Sequence, residues 1–148
     1  MRRATLLTTT LPIAAALPAV AFADAADPAW HLLGQIEVTE HETADSWSVT
    51  KRYPSEIAGG VDRFEISGYL VPVGWEAETR DWMLVSDLGQ CPFCGSGDHG
   101  TAIEVQLADP LPVTEDARHA KLSGALHLVE DADTMQAVVM TGATLLDG

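Results

Sequence analysis

Basic residues are scarce in this chain of 148 residues: eight Lys and Arg stand against 22 Asp and Glu, a formal net charge of −14. A surface so acidic repels phosphate backbones and anionic lipid, which argues against nucleic acid and membrane as partners. Helical periodicity is missing as well. No segment keeps a 3.6-residue apolar period over the roughly ten residues an ordinary helix needs. The motifs of the common catalytic machineries are absent: there is no nucleophile elbow, no phosphate-cradling glycine loop and no His-Glu-x-x-His. Nothing in the sequence therefore points to an enzyme. Cysteine is confined to Cys91 and Cys94, and beyond the first 23 residues no apolar run is long enough to span a bilayer.

The one extended apolar run lies at the start. Arg2 and Arg3 form a short positive segment, Leu6 to Val20 carries no charge, and Ala21-Phe22-Ala23 has the small-x-small pattern of a signal-peptidase site. A membrane anchor would need about 20 predominantly apolar residues, whereas this run contains three consecutive Thr and two Pro. Residues 1–23 therefore read as a signal peptide cleaved between Ala23 and Asp24, which implies a soluble periplasmic protein. Arg2-Arg3 also raises the twin-arginine route, although Ala4-Thr5-Leu6-Leu7 is a poor continuation of that motif. All 22 acidic residues lie after Ala23 while Lys and Arg fall from 8 to 6, so cleavage takes the net charge to −16.

Residues 24–148 suffice for one domain with one core. The sequence predicts a less regular extension over 24–60 and a barrel core over 61–148. Trp30 to Val38 reads as a first strand flanked by His31 and His41, and Trp47 to Lys51 as a short strand. Tyr53 to Gly60 reads as a turn. From Arg63 the alternation is cleaner: Arg63–Pro72, Asp81–Val85, Ala102–Leu107, Lys121–Val129 and Met135–Leu146 read as strands. Asp109 to Ala120 reads as a loop because of Pro110 and Pro112, and Glu130 to Asp133 as an acidic turn. Ile66-Ser-Gly68 and Leu122-Ser-Gly124 repeat one pattern in one register. A glycine in mid-strand marks a bulge, a bend or a close approach. Two of them suit a mostly β fold, a small barrel of five to seven strands like the oligonucleotide/oligosaccharide-binding fold.

The sharpest chemical feature is Gly89-Gln-Cys-Pro-Phe-Cys-Gly-Ser-Gly-Asp-His-Gly100. A Cys-x-x-Cys pair can aim two thiolates at one ion, and Gly95 and Gly97 let the chain fold back so that Asp98 and His99 can join Cys91 and Cys94. Thiolate with imidazole suits Zn or Cu(I). A closed zinc site needs four ligands, so the set would be completed by one of Asp98, Glu104, His119 or His127. The alternative is a disulfide between Cys91 and Cys94, since exported cysteines in even number are usually paired. Asp98 and His99 tip the reading to metal, because a staple has no need of them. A redox role is the third reading. Cys-Pro-Phe-Cys resembles the Cys-Pro-Tyr-Cys of glutaredoxins, but that family needs a helix after the first cysteine, and Gly-Ser-Gly-Asp-His-Gly cannot carry one.

Gly68-Tyr-Leu-Val-Pro72, Trp82-Met-Leu-Val85, the Cys-Pro-Phe-Cys loop and the closing Leu122-Ser-Gly-Ala-Leu126 together resemble a family of uncharacterised exported bacterial proteins. The resemblance implies a small periplasmic β-barrel, sometimes met beside metal or lipoprotein transport systems, and assigns no activity. Two functions follow as expectations. One is a non-enzymatic metal-binding or metal-handling accessory using Cys91, Cys94, Asp98 and His99. The other is a disulfide-pinned binding module that docks through its barrel face on an envelope protein or transporter. Trp75, in a polar loop, could line a ligand surface.

Overall fold

The computed structural model describes residues 27–88, 102–114 and 116–147. The chain forms a short helix and seven strands among these residues: α1 (Pro28–Leu33), β1 (Glu37–Glu42), β2 (Trp47–Arg52), β3 (Val61–Pro72), β4 (Glu78–Val85), β5 (Ala102–Pro112), β6 (Arg118–Leu128) and β7 (Val138–Asp147). The strands β1 and β2 pair as a separate antiparallel hairpin. The other five close into a barrel in the order β3-β4-β5-β7-β6, with β6 returning to β3. Every pairing in it is antiparallel except β5 with β7. A mostly β, five-stranded barrel like the oligonucleotide/oligosaccharide-binding fold is what the alternation and the paired glycines predicted.

Alternation builds the core. Phe64, Ile66 and Leu70 of β3, Trp82 and Leu84 of β4, Ile103, Val105 and Leu107 of β5, Leu122 and Leu126 of β6, and Met140 of β7 all point inward and are buried. Each large apolar side chain so buried contributes about 1.5–3 kcal/mol.

The repeated glycines sit where the backbone of a neighbouring strand comes unusually close. A Cβ on Gly68 would lie 2.6 Å from the Val85 carbonyl oxygen and 3.2 Å from the Trp30 ring, and one on Gly124 would lie 2.9 Å from Ala143 Cα. Two of the sequence motifs form one ladder: Tyr69, Leu70, Val71 and Pro72 pair with Val85, Leu84, Met83 and Trp82. The third lies beside them, since Ile66 pairs with Leu122 and Phe64 with Gly124.

Three sequence expectations need correction. Trp30 to Val38 is not one strand. Asp27 caps a helix there, its Oδ1 accepting from the Ala29 N–H at 2.9 Å with Pro28 in the first turn, a position suited to proline. The strand begins only at Glu37, so His41 lies within β1. The loop expected from Asp109 begins later, because β5 runs to Pro112. Arg80 alone opposes the β5 residues between Gln106 and Leu111, and donates from Nη1 to the Ala108 carbonyl. Pro110 occupies this bulge, where no ladder bond is lost. His119 belongs to β6, its ring edge-on to Tyr69 with centroids 4.9 Å apart.

Helix α1 docks on β3 just where β4 no longer pairs. Ladder pairing between β3 and β4 starts at Tyr69. Two residues earlier, the Ser67 N–H donates to Asp27 Oδ2 at 2.8 Å and the Ser67 carbonyl accepts from Trp30 Nε1 at 2.7 Å. Trp30 and Leu33 thereby enter the core, joined by Ile57 from the turn before β3. The turn closes at Gly60, whose φ of 77° is a left-handed conformation open to glycine.

Candidate functional site

The inward residues of β4, β5 and β7 leave their neighbours on the outer wall. On β4 the outward residues include Asp81 and Met83, on β5 Glu104 and Gln106, and on β7 Val139 and Thr141. The ladder sets Asp81 opposite Gln106 and Glu104 beside Val139. Together with Val73, Val105 and the edge of Trp82 they line a groove of about 360 Å³. Its apolar strip runs between polar groups, the usual composition of a recognition site.

The groove is a site of unmatched negative charge. Gln106 Nε2 donates to Asp81 Oδ1 at 3.4 Å, and among the described residues Asp81 and Glu104 form no ion pair. Three of the described cations face carboxylates elsewhere. Arg52 faces Glu37, while Lys121 and Arg63 face Glu65. The loop that carries Val73 to the groove also carries Trp75, which is fully solvent-exposed at 103%, and Val73 itself is 56% exposed. In barrels of this architecture, the wall of the second and third strands and the loops after the first and fourth strands bind ligand. Here those strands are β4 and β5, and the first of those loops holds Trp75.

The second of those loops, residues 129–137, is tied to the β1–β2 hairpin. Val49 N–H donates to the Ala132 carbonyl at 2.8 Å, and Lys51 Nζ donates to the carbonyls of Val129 and Asp131 at 2.8 and 2.7 Å. The Tyr53 hydroxyl lies 2.9 and 3.0 Å from the carbonyl oxygens of Val129 and Ala137 and shares its single proton between them. Burial pushes the Lys51 ammonium below its ordinary pKa, with the Asp131 carboxylate opposing the shift. Burial pushes the Tyr53 phenol up, and the Glu130 charge adds to the rise. Beside the hairpin, Gln35, Glu37, Arg52, Tyr53 and Pro54 line a second depression of about 440 Å³. Its Arg52 and Glu37 stand 3.8 Å apart and cancel in charge.

Cys91, Cys94, Asp98 and His99 lie outside the described residues, as do residues 1–23. What is described is how their loop is anchored: β4 ends at Val85 and β5 begins at Ala102, and these two residues pair. Of the further ligand candidates, Glu104 faces the groove and His119 packs on Tyr69. His127 Nε2 lies 2.8 Å from Thr141 Oγ1 on the outer wall. Among the described residues, no three His, Cys, Asp or Glu side chains come together to hold an ion. No described helix is long and apolar enough to cross a membrane.

No family model, curated protein or solved structure matches this chain. The likeness to exported bacterial proteins therefore rests on its quoted motifs alone.

The groove itself escaped the sequence. Asp81, Glu104 and Gln106 are legible as the polar positions of alternating strands. Their meeting with Val139 and Thr141 depends on the parallel pairing of β5 with β7, which no local pattern encodes.

Proposed function

We propose that this chain is an exported, non-enzymatic binding module, directed to the periplasm by residues 1–23, that docks through its barrel face on an envelope protein or transporter. The observation that carries this reading is the groove over β4, β5 and β7, in which Asp81 and Glu104 have no cationic partner among the described residues and lie near the exposed Val73 and Trp75. A carboxylate without a partner and a bare tryptophan are both features that binding would satisfy.

A photo-crosslinking residue in place of Val139 is expected to trap a discrete envelope partner in living cells, and one in place of Glu40 on the hairpin is not. Equal trapping at both positions, or none at Val139, rejects the reading.

The metal site in the Cys91–Cys94 loop, which the sequence favoured, is the second proposal. It is supported by the Cys91-x-x-Cys94 spacing with Asp98 and His99 close behind, in a segment whose flanking residues Val85 and Ala102 pair. Intact-mass analysis of the mature protein from the envelope discriminates. Free thiols with one Zn or Cu, lost in Cys91→Ser, are expected of a metal site. A mass lower by two hydrogens with no metal identifies the disulfide and rejects metal binding.

A further inference from the structure

The spacing of charge in the groove specifies more than a preference for cations. Asp81 stands directly opposite Gln106 on the neighbouring strand, and Glu104 is two residues along from Gln106 on the same face. Asp81 and Glu104 are thus diagonal neighbours of a ladder, about 7–8 Å apart at the backbone. In an extended peptide, residues i and i+2 share a face and are separated by about 6.8 Å. Two basic side chains at alternate positions of an extended segment therefore match the two carboxylates, and adjacent ones do not, because they point to opposite faces. Val139 supplies the apolar side chain beside Glu104, and Val73 leads to Trp75, an exposed anchor for an apolar residue farther along the same segment.

We infer that the groove receives an extended segment of a partner protein bearing basic residues at alternate positions, with an apolar residue beyond them that packs on Trp75. This rests on the reading of the barrel as a binding module and names what it binds. The acidity of the rest of the surface steers such a segment inward but does not position it. The groove carboxylates do that.

Fluorescence anisotropy with a labelled peptide, Ser-Lys-Thr-Lys-Thr-Leu-Ser, tests the inference on the mature protein. Binding is expected, weakening about tenfold when the two lysines are made adjacent, and vanishing when they are replaced by Glu. The double variant Asp81→Asn/Glu104→Gln is expected to lose about tenfold in affinity, as is Trp75→Ala. A control of equal charge change away from the groove, Glu42→Gln/Asp45→Asn on the hairpin, is expected to change affinity less than about twofold. All five positions are exposed, and unchanged thermal melting verifies that each variant folds.

Equal losses in the two double variants would mean that net charge alone attracts the peptide, and would overturn the inference. So would a Trp75→Ala variant that binds like the parent, a lack of spacing preference, or no peptide binding. Gel filtration showing a dimer that Trp75→Ala dissolves would assign the face to a second copy instead. Binding of neutral chitohexaose at Gln106 and Trp75, seen by their side-chain NMR signals, without peptide binding would likewise overturn it while leaving the binding-module reading intact. Failure of the Val139 crosslink removes that broader reading itself.

Discussion

At the scale of single residues, two glycines carry more of the architecture than any charged group. Gly68 and Gly124 lie in mid-strand, where glycine is otherwise unfavourable, because the backbone of a paired strand stands where a Cβ would go. At Gly68 the obstacle is the Val85 backbone carbonyl, 2.6 Å away, whereas at Gly124 part of it is the flexible Met140 side chain. Overpacking of this kind costs about 1–3 kcal/mol. Gly124→Ala is expected to lose about 2 kcal/mol and Gly68→Ala about 3 kcal/mol, the top of that range. Gly59→Ala, with nothing within 4 Å of its Cβ, is expected to be neutral. Urea unfolding of the three variants checks the order, and a Gly68→Ala midpoint equal to that of Gly59→Ala refutes it. The repeated Ser-Gly was legible in the sequence as a close approach or a bend. Which atoms approach was not, because Val85 and Ala143 are brought there by pairing alone.

At the scale of elements, α1 shows why a six-residue helix persists at all. Isolated helices this short do not form in water. This one is held by Asp27, whose two carboxylate oxygens serve the Ala29 N–H and the Ser67 N–H, and by the Trp30 indole on the Ser67 carbonyl. The helix thus occupies the ladder position on β3 that β4 leaves open. Asp27→Ala removes a cap worth about 1 kcal/mol and strands the Ser67 amide. Asn at this position retains one acceptor oxygen, so Asp27→Asn is expected to fall between Ala and the parent. Faster hydrogen exchange at the Ser67 amide and a red-shifted Trp30 fluorescence are the expected signs. Unchanged Ser67 protection in Asp27→Ala would show that the bridge does not hold the helix. The apolar period missed α1 because its stability comes from β3, far along the chain, and its sequence signal is only Asp27-Pro28. The continuation of β5 through Pro110 and Pro112 was missed for a related reason: a bulge opposite Arg80 removes the ladder bond that Pro110 could not make, and Pro112 ends the strand opposite Glu78 while Val113 N–H makes the next bond, to the Ala77 carbonyl.

At the scale of the whole molecule, the β1–β2 hairpin is secured to the barrel through Val49, Lys51 and Tyr53 on residues 129–137, which makes stability sensitive to alkali. The Tyr53 phenol has a folded pKa raised above its ordinary value of about 10. Its contribution is therefore complete below about pH 10 and is lost as pH rises through the raised value. A phenolate there would have no proton to give the Val129 and Ala137 carbonyls and would meet the charge of Glu130. Lys51 acts in the opposite sense: its folded pKa is lowered, so stability gains as pH rises from that value to its ordinary one. Comparison with Tyr53→Phe cancels Lys51, which both proteins retain. The parent is expected to lose stability more steeply than Tyr53→Phe above pH 10 in chemical unfolding, and parallel curves would exclude Tyr53 as the cause.

The sequence by itself determined the class of fold and the composition of its faces. Period-two alternation fixes which side chains of a strand lie together, so the inward Ile103, Val105 and Leu107 and the outward Glu104 and Gln106 were separated before any pairing was known. It also set the acidity that turns the surface toward cationic partners, and it marked Cys91, Cys94, Asp98 and His99 as the chemistry of one loop. Only the tertiary structure decided what stands beside what. The parallel contact of β5 with β7, the bulge at Arg80 and the seating of α1 on Ser67 arise between segments distant in sequence. Their geometry is set by closure of the barrel, which must satisfy every strand edge at once. The groove is a product of that closure: its two carboxylates are local facts, and their spacing over an apolar strip is a global one.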